Sequence, residues 1–223
     1  SCCQTYRKNH PEVHCIFSDI RDVKYEDIKA FIPKQGIDLV TSGMPCETFS
    51  LAGTTSRSFY DDRQFLFREG IRIAKLSNAK MILFENVPGI TSKKVSKEDT
   101  KLMIDVLKDE LKEAGYGNFK EVKLLATDFG VPQKRQRYFI LASRFSNWDL
   151  QCPDASVSKP VTVREAFESL PDVVANSDIP QTDYTSSTSE YSEIMKNLKF
   201  WKRENFQNLP LSYQVPMRHK AHT

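Results

Sequence analysis

Cys46 is the residue whose type and position best suit covalent chemistry in this chain. It follows an apolar run at residues 37–40 and small residues at 41–43, and Pro45 directly before it restricts the backbone at the thiol. Open α/β sheets bind their ligands at the carboxyl ends of strands. A thiolate at such a place can act as a nucleophile, whereas the alternative is a buried cysteine that only packs.

Groups that could assist a nucleophile stand at the ends of two further apolar runs. Glu85 and Asn86 end the run that begins at residue 81, and Gln133, Arg135 and Arg137 come just before the run at residues 138–142. Taken singly, an acid at a strand end is more often structural and an arginine is often plain surface charge. Together they predict a site built from three strand ends.

These motifs, in this order, resemble those of the bacterial-type DNA cytosine-5 methyltransferases. The family's Pro-Cys motif matches residues 45–46, its Glu-Asn-Val motif residues 85–87, and its Gln-x-Arg-x-Arg motif residues 133–137. The resemblance covers residues 1–144 and continues more weakly to 219. It implies an α/β fold with a doubly wound, mostly parallel sheet of the S-adenosylmethionine-dependent methyltransferase type, followed by the start of a smaller recognition region.

The resemblance also implies catalytic roles. Cys46 would add to carbon 6 of a cytosine turned out of DNA, so that carbon 5 can accept a methyl group. Glu85 would hold a proton near neutral pH and offer it to ring nitrogen 3. Arg137 and Arg135 would bind the base oxygen and neighbouring groups or phosphate.

Further contacts follow from the same resemblance. Asp19, Ile20 and Pro45 match positions that bind the cofactor, S-adenosyl-L-methionine. The loop at residues 51–63 is expected to close over DNA, and no metal is expected. The predicted DNA-binding residues are Met44, Ser50, Arg57, Arg63, Asn86 and Gln133.

Two other functions stay open from the sequence. One is an RNA cytosine-5 methyltransferase, although the context of residues 45–50 favours DNA. The other is a non-catalytic nucleic-acid-binding subunit that keeps the fold. A Cys-His hydrolase is disfavoured because His10, His14, His219 and His222 all lie near the two ends of the sequence.

The composition sets broad limits on the protein class. The chain has 223 residues, 39% hydrophobic and 27% charged, which is enough for one sizeable core, and its net charge of +3 permits a DNA partner without requiring one. Five cysteines without a Cys-x-x-Cys pair fit neither a disulfide scaffold nor a zinc site. No apolar run is long enough to cross a membrane. We expect an intracellular protein, and the bacterial-type motifs indicate the bacterial cytoplasm.

Periodicity predicts the elements that must position these groups. Prolines punctuate the sequence after residue 144, so we expect a catalytic domain at 1–150 and a linker with the beginning of a recognition region at 151–223. Strands are predicted at 13–17, 37–43, 81–87, 119–126 and 138–142, and helices at 25–31, 64–76, 96–114, 162–170 and 190–201.

Some parts of the family pattern have no match in these residues. The glycine loop that grips the methionine part of the cofactor is missing, and so are the acid that binds the ribose and the closing motifs. Gly115-Tyr116-Gly117 follows a predicted helix, which is the wrong context for such a loop. Truncation of the sequence, disorder of these parts and a second polypeptide that supplies them are three explanations that stay open. We expect these residues alone to bind the cofactor weakly and to select no DNA sequence.

Overall fold

The computed structural model describes residues 2–46, 49, 61–170 and 186–197. The chain divides into two compact units. The first contains Ser1–Leu124 and Gln136–Pro153, and the second contains Leu125–Arg135 and the chain from Asp154 onward. The proposed domains 1–150 and 151–223 stay a prediction.

A four-stranded sheet forms the centre of the first unit. Its strands are β1 (Leu39–Gly43), β2 (Met81–Asn86), β3 (Asn118–Leu125) and β4 (Gln136–Ser143), in the order β1-β2-β4-β3. β1 pairs with β2 in parallel, and β2 pairs with β4 antiparallel. The predicted α/β class is confirmed, and four of the predicted strands agree with β1, β2, β3 and β4 to within two residues at each end.

The sheet is mixed, whereas the sequence predicts a mostly parallel one. Parallel neighbours need a long crossover that usually contains a helix, as α3 (Phe67–Leu76) does between β1 and β2. The link from β3 to β4 contains only a short 3₁₀ helix, Ala126–Phe129. A short link of that kind suits a chain that reverses its direction between two neighbouring strands. The pairing of β4 with β2 is antiparallel, which makes the sheet mixed.

Two helices supply the apolar faces that pack with the sheet. α3 buries Phe67, Gly70, Ile71 and Ala74 and contacts β1 and β2. A Cβ added to Gly70 would lie 2.8 Å from the Ser42 hydroxyl oxygen, so the missing side chain lets this helix lie close to the strand. α4 (Met103–Glu113) contacts α3 and buries Met103, Ile104, Leu107 and Leu111. Each such large apolar side chain contributes roughly 1.5–3 kcal/mol when buried.

Burial alternates along the strands. In β2, Ile82, Phe84 and Asn86 are buried, while the residues between them are only half-buried. The same alternation places buried Tyr138 next to half-buried Arg137 in β4. Since successive strand residues point to opposite faces, one sheet face is packed and the other is more open.

A tight turn at Gly36 brings the beginnings of β1 and β2 together. Gly36 has φ +80°, and a Cβ there would lie 2.3 Å from the carbonyl oxygen of Asn78. The amide of Ile37 donates to the carbonyl of Ser77 at 3.2 Å, and the amide of Lys80 donates to the carbonyl of Ile37 at 2.8 Å. These contacts fix the register of β1 against β2, in which Leu39 pairs with Met81.

Two predicted elements are wrong. Residues 13–17 form no strand. One edge of β1 is bonded to β2, and no described strand pairs with the other edge of β1. The helix expected from residue 96 begins at Met103. Ser96 and Asp99 accept hydrogen bonds from the amides of Asp99 and Lys101 instead, so these polar side chains stabilise a turn before the helix.

Among the described residues, four further α-helices lie outside the sheet and its two packed helices. α1 (Cys2–Asn9) has no counterpart in the sequence prediction, whereas α2 (Tyr25–Ile28), followed by a 3₁₀ turn, matches the helix expected at 25–31. In the second unit, α5 (Val163–Phe167) begins with a capping box between Thr162 and Glu165, and α6 spans Glu190–Lys196. The remainder of the helix predicted at 190–201 lies largely outside the described residues.

Candidate active site

The loop after β1 holds Cys46 between two buried anchors. Met44 and Phe49 are 6% and 4% exposed and belong to the apolar core, while Cys46 itself is half-buried. The amide of Phe49 donates to the carbonyl of Cys46 at 3.0 Å, which closes a turn around the cysteine. The thiol is therefore presented by a loop whose two ends are fixed by packing.

Glu85 lies at the end of the neighbouring strand. Its Cα pairs with Gly43 of β1 on one side and with Phe139 of β4 on the other. The next residue, Asn86, is 2% exposed, and its side-chain oxygen accepts from the amide of Val87 at 2.8 Å. Its side-chain nitrogen is buried and has no partner among the described residues. Asn86 thus fixes the backbone directly after Glu85.

Arg137 is joined to Glu85 by an ion pair. Its Nε lies 2.7 Å from Oε1 of Glu85, with the side chains 18% and 37% exposed, and its Nη1 donates to the carbonyl of Gln136 at 2.8 Å. Oε2 of Glu85 is on the side of Gly43, 3.8 Å from where a Cβ of that glycine would lie. The structure brings together these two predicted site residues beside the strand that leads into Cys46.

Gln133 and Arg135 belong to the second unit. Both are exposed, and the amide of Arg135 donates to the carbonyl of Gln133 at 2.8 Å. The carbonyl of Arg135 accepts from the amide of Ala126 at 2.9 Å, which closes the loop on itself. Their contacts with a base or with DNA stay predictions.

A cavity of about 350 Å³ opens beside the Cys46 loop. Two of the three predicted cofactor residues, Ile20 and Pro45, line it. The cavity has mostly apolar walls and a size within the usual range for small-molecule sites. The other lining residues come from β1, Met44 and the α3 region: Val40, Thr41, Ser42, Gly43, Leu66, Gly70 and Ile73.

The α3 part of this wall was not predicted from the sequence. Leu66 and Ile73 belong to an ordinary amphipathic pattern, which does not distinguish a cavity wall from core. Gly70 offered the usable signal, because a glycine inside a helix usually has a packing or functional reason.

Asp19, the third predicted cofactor residue, is held by its neighbour. Its carboxylate pairs with Arg21, with Oδ2 2.6 Å from Nη2, and also accepts from the Arg21 amide at 3.0 Å. These hydrogen bonds from Arg21 lower the pKa of Asp19 to about 2, so the group is ionised near neutral pH. It does not line the cavity.

Arg63 has an acidic partner next to it. Its Nη2 lies 2.7 Å from Oδ2 of Asp61, which also accepts from its amide through Oδ1. The two other predicted DNA contacts in this loop region, Ser50 and Arg57, lie outside the described residues.

The described ranges hold no group of three or more His, Cys, Asp or Glu that could bind a metal ion. None of the helices within those ranges is long and apolar enough to span a membrane.

Type II methyltransferases are among the known proteins that this chain resembles in sequence. The chain is 30% identical over 200 residues to the Type II methyltransferase M1.HphI of Haemophilus parahaemolyticus, covering 88% of this chain and 52% of that protein. It is 33% identical over 199 residues to the Type II methyltransferase M.DdeI of Desulfomicrobium norvegicum, covering 86% and 46%. The chain therefore spans about half the length of the curated relatives it matches.

Solved structures share the fold. A prophage-encoded DNA modification methyltransferase of E. coli superposes with a TM-score of 0.62 at 24% identity, covering 84% of this chain and 51% of that one. A DNMT2 variant from Spodoptera frugiperda gives 0.51 at 26% identity, covering 77% and 49%. The family model described as C-5 cytosine-specific DNA methylase matches residues 1–220. Since this match extends over nearly all of its residues, the chain belongs to the C-5 cytosine-specific DNA methylase family.

Proposed function

We propose that this chain carries the catalytic centre of a DNA cytosine-5 methyltransferase. The protein would transfer a methyl group from S-adenosyl-L-methionine to carbon 5 of a cytosine in DNA, through a covalent bond to Cys46. The observation that carries the proposal is the Glu85–Arg137 pair at the ends of two strands, with Glu85 directly opposite Gly43 in the strand that leads to Cys46.

Cys46 would open the reaction. Carbon 5 of cytosine is a poor nucleophile, and addition of the thiolate to carbon 6 makes it electron-rich. Carbon 5 then takes the methyl group, and its own proton leaves to a base, a role that water could fill. The carbon–sulfur bond to Cys46 finally breaks and restores the ring double bond. The half-buried, doubly anchored position of the thiol supports this role, because a nucleophile must be both reachable and fixed.

Glu85 and Arg137 would stabilise the ring while carbon 6 carries the sulfur. The addition pushes electrons toward ring nitrogen 3 and the carbonyl oxygen, where a proton donor and a positive charge lower the barrier. Arg137 engages Oε1 of Glu85 as an ion pair, so Glu85 would have to accept a proton as the base enters, at Oε2 on the Gly43 side, and share it with ring nitrogen 3. Arg137 would thereby orient Glu85 as well as bind the base oxygen.

The cavity beside the loop fits part of the cofactor. Its apolar walls suit a flat aromatic ring such as adenine, with Ile20 and Pro45 as the contacts. When bound, S-adenosyl-L-methionine supplies an electrophilic methyl group. Because the Asp19 carboxylate is engaged by Arg21, a role for it in binding requires a shared or exchanged hydrogen bond.

DNA binding would require a change in the position of the target base. The target carbon is unreachable in a stacked duplex, so the base must turn out into the site. Met44 and Asn86 are both buried, hence any effect of these two on DNA would act through the position of the loops. Ser50, Arg57, Arg63, Gln133 and Arg135 are proposed to contact the DNA backbone or base.

The glycine loop and the recognition region would come from polypeptide outside these 223 residues. Either a longer form of the same chain or a second polypeptide could carry them. The half-length match to relatives supports this proposal, as do Phe17 and Ile16, which are 72% and 38% exposed although apolar.

The decisive test is adduct formation in the full-length protein. In the presence of S-adenosyl-L-methionine, 5-fluorocytosine in DNA would receive the methyl group at carbon 5 but has no proton there to release. A covalent enzyme–DNA adduct should therefore accumulate with the wild type and be absent with Cys46→Ser. Cys152→Ser, a second half-buried cysteine, is the matched control and should form the adduct normally. Normal methylation by Cys46→Ser would refute the mechanism. Adduct on RNA alone would favour an RNA methyltransferase, and no adduct with either substrate would favour a non-catalytic subunit.

A further inference from the structure

The turn after β2 touches the backbone of the Cys46 loop. Gly89 lies in the 3₁₀ helix Pro88–Thr91, which follows Glu85, Asn86 and Val87. A Cβ added to Gly89 would lie 2.1 Å from the carbonyl oxygen of Phe49 and 3.3 Å from its carbonyl carbon. Non-bonded heavy atoms attract at roughly 3.5–4.0 Å and repel strongly well inside that distance. The two backbones can therefore be this close because residue 89 has no side chain.

Space, and not backbone conformation, is what requires glycine here. The described glycines with positive φ are Gly36, Gly115 and Gly130, and Gly89 is not one of them. An alanine at position 89 could adopt the same φ and ψ. It would differ from glycine only by one methyl group placed against the carbonyl of Phe49.

Both sides of the contact are held firmly. Phe49 is buried in the core, and its amide donates to the carbonyl of Cys46. On the other side Ile90 is 2% exposed, and the carbonyl of Gly89 accepts from the amides of Ser92 and Lys93 at 3.2 and 3.1 Å. A methyl group at residue 89 would thus have to move either the loop of Cys46 or the turn that follows Glu85.

We infer that Gly89 is a positioning residue that sets the distance between the Cys46 loop and the strand end of Glu85. The inference rests on the proposed function, since it matters only if these two groups act on one base. Catalytic groups displaced by about an ångström can lose on the order of 100-fold in rate. Gly89→Ala should therefore slow the covalent step more than it weakens substrate binding.

The test compares Gly89→Ala with Gly117→Ala in the full-length protein. Gly117 also lacks positive φ, and a Cβ there meets nothing within 4 Å, so it is a matched control. At saturating DNA containing 5-fluorocytosine, Gly89→Ala should form the adduct about 10- to 100-fold more slowly, with its DNA affinity unchanged within a few-fold. Gly117→Ala should match the wild type. An equal adduct rate for Gly89→Ala would overturn the inference.

A second pair of variants decides the matter if Gly89→Ala does not fold. Phe49→Leu loosens the anchor on the loop side, whereas Phe67→Leu changes another buried core phenylalanine. Slower adduct formation in Phe49→Leu than in Phe67→Leu would support the contact, and equal rates would overturn it. Failure of the wild type to form any adduct would refute the proposed function itself, which separates the two failures.

Discussion

The two faces of the sheet differ in what their residues contact. On one face, Ile82, Phe84 and Ile140 are buried in the apolar core with α3 and α4. On the other, Glu85 and Arg137 are partly exposed and paired with each other. Consecutive residues of one strand, Phe84 and Glu85, thus serve stability and proposed chemistry respectively. A shift of β2 by one residue would move Phe84 and Glu85 to each other's face of the sheet. It would abolish both the packing of Phe84 and the proposed chemistry of Glu85.

The same contrast recurs in β4. Tyr138 is buried, its hydroxyl donates to Glu121, and burial raises its pKa, so it stays neutral. Its neighbour Arg137 faces the other way, toward Glu85. The packed face therefore keeps polar groups only where they are neutral or paired, while the open face can hold charges that a substrate could reach.

The strongest test of the comparison is on the packed face. Phe84→Ala should lower the free energy of unfolding by about 3–5 kcal/mol, because it leaves a cavity against Gly70 of α3. Leu83→Ala, one residue along and half-buried, should cost clearly less. Urea unfolding of both variants measures the difference. Equal losses would show that the open face is packed as tightly as the other.

The second largest effect is expected from Glu85, which lies on the open face. Glu85→Gln should lower the methylation rate of the full-length protein by about 100-fold, since it removes the proposed acid. Its free energy of unfolding should change little, because the pair with Arg137 is partly exposed. Single-turnover methylation and urea unfolding, run in parallel, test both statements. A large stability loss with an unchanged rate would make Glu85 a structural residue.

The smallest effect concerns a single buried hydroxyl. Tyr116 is fully buried and donates to the carbonyl of Ala79 at 2.8 Å, just before β2. Tyr116→Phe should lower the free energy of unfolding by about 1–2 kcal/mol, since the carbonyl loses its partner. Thermal unfolding monitored by circular dichroism would measure it. Stability equal to the wild type would indicate that water replaces the hydroxyl.

The sequence predicted the parts of this molecule that local patterns encode. Apolar runs of strand length identified β2 and β4, and with them the places of Glu85 and Arg137. The false strand at residues 13–17 had the right composition, but a strand also needs a partner edge. The helix expected from Ser96 failed because Ser and Asp cap turns and helices through the same hydrogen bonds.

Contacts between distant residues were beyond such patterns. Nothing local to Gly89 indicates that it meets the backbone of Phe49. The part of the cavity wall that α3 contributes also depends on contacts between residues distant in sequence. Each depends on how segments meet in space, which spacing along the chain does not encode.

The close contact between Gly36 and Asn78 limits how this protein can change in length. The two residues, with φ of +80° and 50°, tie the strand beginnings together, and the same number of residues separates Gly36 from Gly43 and Asn78 from Glu85. A deletion or insertion within either stretch would move Glu85 away from Gly43 and turn it to the opposite face. Natural variants should therefore keep both spacings constant and gain or lose residues in the loops beyond the strands.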